Sequence, residues 1–117
     1  MTRRIDIVEV GPRDGLQNDP GNLTTQQKLE FIQRLEEAGV KRMEAGSFVS
    51  PKAVPKMADS AEVFAGVDRA KPTRHIALAL NEKGVRRATK SRHNARNARV
   101  GITLTKLLRV LVRASYW

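Results

Sequence analysis

A short β-branched run, residues 5–10, is stopped by a Gly-Pro pair and followed by a stretch with helical spacing, and this order of strand, breaker and helix recurs along the chain. Ile5, Ile7, Val8 and Val10 suit a buried strand, while Gly11 and Pro12 punctuate rather than continue it. Thr24-Thr-Gln-Gln27 offers an N-cap and its capping-box partner. Beyond it Leu29, Ile32, Leu35 and Ala38, with Phe31 alongside, place apolar side chains on one helical face. Gly39 supplies the stop. Residues 40–45 read as a second strand, 59–67 as a short helix capped by Asp59 or Ser60, 75–80 as a third strand, and 82–90 as a further helix. Pro51 and Pro55 make the intervening loop stiff. Strands separated by helices of this length argue for a parallel sheet with right-handed crossovers.

That architecture gives meaning to what stands at the strand ends. Residues 8–18 read Val-Glu-Val-Gly-Pro-Arg-Asp-Gly-Leu-Gln-Asn, so Arg13 and Asp14 lie on the loop leaving the first strand. Arginine offers a planar, permanently charged fork for a carboxylate, enolate or thioester oxygen, and aspartate a hard oxygen for a divalent cation or a hydrogen bond. An Arg-Asp pair alone is also an ordinary surface ion pair in a turn. The second strand adds Glu44 near its end, just before Gly46-Ser-Phe-Val-Ser-Pro-Lys52. Two adjacent strands then aim Arg13, Asp14 and Glu44 at the carboxyl-terminal edge of the sheet, where open parallel sheets and barrels bind ligands.

Gly-Pro-Arg-Asp-Gly-Leu-Gln-Asn, followed by Glu-Ala-Gly-Ser-Phe-Val-Ser-Pro-Lys-Ala-Val-Pro-Lys-Met, resembles the opening of the hydroxymethylglutaryl-CoA lyase family, within the metal-dependent TIM-barrel lyases and acyltransferases. The resemblance covers residues 5–87, and Ala-Leu-Asn-Glu-Lys-Gly is its weakest part. It implies a fold: the N-terminal portion of a (β/α)8 TIM barrel. It also implies roles. Arg13 would polarise the substrate oxygen on which charge grows as a carbon-carbon bond breaks, with Glu44 as its catalytic companion. Asp14 would be one ligand of a Mg2+ or Mn2+ ion. Gln17, Ser47 and Asn81 would line the substrate pocket. The implied reaction deprotonates the tertiary hydroxyl of a 3-hydroxy-3-methylglutaryl thioester, which splits into acetyl-CoA and acetoacetate. A related acyl-CoA condensing enzyme, such as an isopropylmalate or homocitrate synthase, shares the arginine-aspartate opening, but both loops together favour the lyase. The family also uses a His-x-His pair, an Asn on a later strand and a cysteine on a glycine-rich loop, none of which this sequence contains. His75 and His93 stand alone, His75 as a structural or solvent-facing residue. One carboxylate does not make a magnesium shell, and the 117-residue chain is expected to be inactive alone.

Length and charge divide the chain. A (β/α)8 barrel takes about 250 residues, so 117 residues supply only its first part. Residues 1–82 carry 12 basic and 12 acidic side chains, whereas residues 83–117 carry 10 basic and no acidic ones, so the net charge of +10 resides in the last 35. We therefore divide the sequence into a partial lyase-like barrel, residues 1–87, and an unmatched basic tail, residues 88–117. Such asymmetry is the mark of an appended binding tail or of a shifted reading frame. Residues 91–101 are polar and rich in breakers, and residues 102–114 have the spacing of a basic amphipathic helix. Arg86, Arg87, Arg92, Arg96 and Arg99 could contact phosphates, although aromatic side chains for stacking stand only at Tyr116 and Trp117. The partners expected are an acyl-CoA substrate, further copies of the chain in a homo-oligomer, and nonspecific anionic surfaces, with no specific nucleic acid. Cysteine is absent, which removes disulfides and thiol nucleophiles. With no presequence signal and no long apolar run, a cytoplasmic location is expected.

Overall fold

The computed structural model describes residues 2–68, 70–93 and 100–104. A π-helical turn, Gly11–Gly15, runs into α1 (Leu16–Asn18), and α2 (Thr25–Glu37), β1 (Arg42–Ser47), α3 (Ser60–Gly66), β2 (Arg74–Ala79), α4 (Glu82–His93) and β3 (Val100–Leu104) follow. The start and stop signals act locally as expected. Thr24 accepts from the Gln27 amide and the Gln27 side chain accepts from the Thr24 amide, a complete capping box. Gly39 ends α2 with φ +92°, where a side chain would be strained.

The three strands pair in parallel in the order β1, β2, β3. Consecutive parallel neighbours require crossovers of one hand, which carry every helix to the same face of the sheet. The core confirms this arrangement. Ile32 from α2, Val63 and Phe64 from α3 and Ala88 from α4 pack in one cluster with Met43, Ala45 and Ala77 of the strands. Helices on one face and no reversal of strand order are what a sector of a barrel presents, and one half of a doubly wound sheet presents the same.

Two expectations need correction. Residues 5–10 do not form a buried strand. One parallel bridge joins Glu9 to Met43, through Glu9 N–H to Arg42 O (3.0 Å) and Glu44 N–H to Glu9 O (2.8 Å). Ile5 and Ile7 are 85% and 83% exposed. The segment has a neighbour on one side only among the described residues, and β-branched side chains favour a strand when a packed surface receives them. Second, β3 occupies Val100–Leu104, so residues 102–104 belong to a strand rather than to an amphipathic helix. Residues 105–114 of that expected helix lie outside the described residues. Pairing with β2 is the tertiary context that overrides helical spacing there. Of the two readings given for His75, structural or solvent-facing, the first holds. His75 is buried on β2 with Nε2 2.6 Å from Glu36 Oε1 of α2, the two side chains being 5% and 2% exposed. The division placed at residue 87 falls inside α4, which runs unbroken from Glu82 to His93. No helix among the described residues is long and apolar enough to cross a membrane.

Candidate active site

The turn after the Glu9 bridge brings Arg13 back over β1. Arg13 and Gly15 amides both donate to Val10 O, and the Gly11 amide donates to Glu9 Oε1 at 2.8 Å, so the chain coils where a loop was expected. Arg13 Nε then donates to Glu44 Oε2 at 2.6 Å, and its Nη1 reaches Asp14 Oδ1 at 3.1 Å. The Arg13 and Glu44 side chains are 17% and 14% exposed, whereas Asp14 is 52% exposed. A short, charge-assisted contact in a partly desolvated place fixes the guanidinium plane. Among the described residues Arg13 makes no further side-chain bond, which leaves part of its fork for another acceptor.

Glu44 faces away from the helices. It shares its register with Ile76, whereas the adjacent Met43 shares its own with His75 on the helix-covered side. The register then shifts between Glu44 and Gly46. Gly46 aligns with Ala77, and a Cβ on it would meet Ser60 and Phe64 of α3, so it faces the helices. Ser47 aligns with Leu78 and so returns to the face of Glu44. Without the bulge at Ala45, alternation would have placed Ser47 among the helices. Ser47 is 1% exposed, and its Oγ has no hydrogen-bond partner among the described residues.

The remaining candidates divide. Gln17 lies half-buried on α1, in the helical stretch that carries Arg13 and Asp14. Asn81 lies two residues beyond the end of β2, and its Oδ1 accepts from the Gly84 amide at 2.8 Å, so it caps α4. Asp14 Oδ1 also accepts from Asn18 Nδ2 at 3.3 Å. The structure thus unites Arg13, Asp14 and Glu44 in one hydrogen-bonded group and does not bring Asn81 into contact with it. Of the arginines considered for phosphate, Arg86 pairs with Glu82 one helical turn earlier, and Arg87 Nη1 donates to Val49 O at 3.2 Å beneath the Phe48 ring. Arg96 and Arg99 lie outside the described residues.

The group does not fit a divalent metal by itself. Mg2+ takes about six oxygen ligands, and among the described residues no three His, Cys, Asp or Glu side chains converge. Asp14 supplies one carboxylate, and Glu44 is committed to Arg13. Sequence reasoning missed Glu9, whose carboxylate holds the start of the turn, and Lys28, which is buried against Asp59. Glu9 carries no local signal. Lys28 does, because it falls on the stripe of Ile32 and Leu35, where a lysine is out of place.

Comparison with known proteins places this geometry. The HMGL-like family model matches residues 4–112, which runs past Arg87, where the motif resemblance ends. A Pseudomonas aeruginosa 3-hydroxy-3-isohexenylglutaryl-CoA/hydroxy-methylglutaryl-CoA lyase is 46% identical over 91 residues, 78% of this chain and 30% of that protein. The mitochondrial hydroxymethylglutaryl-CoA lyase of Macaca fascicularis is 48% identical over 84 residues, 72% of this chain and 26% of that protein. A solved HMG-CoA lyase from Acinetobacter baumannii, in complex with coenzyme A and 3-methylmalate, superposes with a TM-score of 0.75 at 40% identity. It covers 89% of this chain and 33% of its own. The chain therefore spans about a third or less of these relatives. With the motifs, the consecutive parallel strands and the family match in agreement, the chain belongs to the HMGL-like family.

Proposed function

We propose that the chain carries the arginine-carboxylate part of a hydroxymethylglutaryl-CoA lyase site, acting on a 3-hydroxy-3-methylglutaryl thioester. The observation that supports this most is the guanidinium of Arg13, held by Glu44 of β1 at 2.6 Å and flanked by Asp14 at 3.1 Å. In the reaction the tertiary hydroxyl loses its proton and becomes the ketone of acetoacetate. The bond to the thioester's α-carbon breaks, and the electron pair delocalises onto the thioester oxygen before a proton returns to carbon. Arg13 would face that oxygen, and a fixed guanidinium stabilises the growing charge without reorganising. Glu44 would orient Arg13, and Gln17 and Ser47 would line the same face. Asp14 would contribute one oxygen to a Mg2+ or Mn2+ ion whose other ligands this group does not supply. The relatives compared are lyases, which favours cleavage over the condensing alternative.

A calorimetric titration with 3-hydroxy-3-methylglutaryl-CoA tests the reading. The native chain should bind the ester, and Arg13→Met should weaken binding at least about tenfold, the loss of one charged contact. Equal affinities for the two chains would remove Arg13 from the site and the proposal with it.

A further inference from the structure

We infer that Lys56 is a positioning residue that clasps the turn carrying Arg13 to the loop following β1. This role goes beyond the substrate reading and needs no bound ligand. Lys28 of α2 extends a side chain that is only 8% exposed. Its Nζ donates to Asp59 Oδ1 at 2.6 Å and to the backbone carbonyl of Lys56 at 2.5 Å. Asp59 Oδ2 in turn accepts from Thr25 Oγ1 at 2.7 Å. One of these contacts holds the Lys56 carbonyl and two hold Asp59, three residues on, so the segment carrying Lys56 is pinned to the first turn of α2. From that anchored position Lys56 Nζ donates to the carbonyls of Asp19 and Gly21, the latter at 3.0 Å. Those carbonyls belong to the segment that leaves α1, and the Asp19 amide donates to Gly15 O at 3.0 Å, next to the turn of Arg13.

The contacts of Lys56 Nζ are exposed, and two observations bear on what they hold. A half-open cleft of about 230 Å³, lined by Leu16, Leu23, Pro55, Lys28 and Asp59, borders the network. Apolar packing is open there, so polar contacts hold the segment. In addition, Lys28 occupies the apolar stripe of α2, where methionine or leucine would pack against Ile32 without removing a charge from water. A buried lysine contributes little net stability, and what it gives here is a fixed geometry for the Lys56 carbonyl. Arg13 is thus tied twice to elements that follow it, through Glu44 on one side and through Lys56 on the other.

Amide hydrogen exchange on the native chain and on Lys56→Met tests the clasp. Exchange at Gly15, Asp19 and Gly21 should quicken at least about tenfold in the variant, while the Arg74 amide, bonded to Lys41 O at 2.8 Å between β1 and β2, stays unchanged. Lys56→Arg should restore slow exchange. No local change, or an equal rise at Arg74, would overturn the inference, the second outcome marking loss of global stability alone. Should Lys56→Met fail to fold, amine acylation of the native chain decides. Lys28 and Lys56 should react at least about tenfold more slowly than the exposed Lys52 and Lys83, and equal rates would overturn the inference.

Discussion

Glu44→Gln probes the pair on which the candidate site is built. The substitution keeps size and shape, removes one charge, and leaves Arg13 facing a neutral acceptor 2.6 Å away. An exposed ion pair is worth about 0.2–1 kcal/mol, whereas removing one partner of a fully buried pair costs about 3–5 kcal/mol. With side chains 17% and 14% exposed, this pair lies between those limits, and a charged hydrogen bond in such a place is worth about 1.5–3 kcal/mol. For a chain of this size that corresponds to a fall in melting temperature of about 4 °C per kcal/mol. Urea unfolding of the native chain, Glu44→Gln, Arg13→Met and the double variant gives the coupling energy directly, provided the slope with denaturant stays constant. We expect a coupling of about 1–2 kcal/mol. A coupling below about 0.3 kcal/mol would show that the two side chains do not support one another and would refute the reasoning.

Other outcomes follow from the same geometry. His75→Leu leaves Glu36 buried without its 2.6 Å partner and should cost about 3–5 kcal/mol in urea unfolding, while adding Glu36→Leu should recover most of it. Thr24→Ala removes the capping box of α2 and should cost about 1 kcal/mol, with a matching loss of helical circular dichroism on heating. Replacing the exposed Ile5 and Ile7 by Thr should change stability by less than about 0.5 kcal/mol while reducing self-association measured by light scattering.

Much of this fold was legible because its signals are local. The Thr24 to Gln27 box, the Gly39 stop and the strand of residues 40–45 need only near neighbours in sequence, and each appears within two residues of its expected place. The approach of Glu44 to Arg13 was legible in part: the chain before Arg13 does run parallel to β1, but through the one bridge at Glu9, and Glu44 stands within β1 rather than at its end. What escaped the sequence depends on distant partners. Residues 5–10 have the composition of a strand, yet one bridge at Glu9 is all that a single neighbour supports. His75 looked solitary until α2 brought Glu36 beneath it, 39 positions away. The bulge at Ala45 decides which face Ser47 takes, and no turn residue announces it. Residues 102–104 had the spacing of a helix, and pairing with β2 made them a strand.

Incubating the purified 117-residue chain with 3-hydroxy-3-methylglutaryl-CoA and Mg2+ or Mn2+, and quantifying acetyl-CoA and acetoacetate by mass spectrometry, decides whether the Arg13 group cleaves the ester without further residues. With the arginine-carboxylate part of a lyase site and one side chain proposed for a metal, the described residues should leave the ester as intact as in the protein-free control. Equimolar acetyl-CoA and acetoacetate, formed by the native chain and abolished by Arg13→Met, would contradict this and show that the chain holds a complete catalytic site.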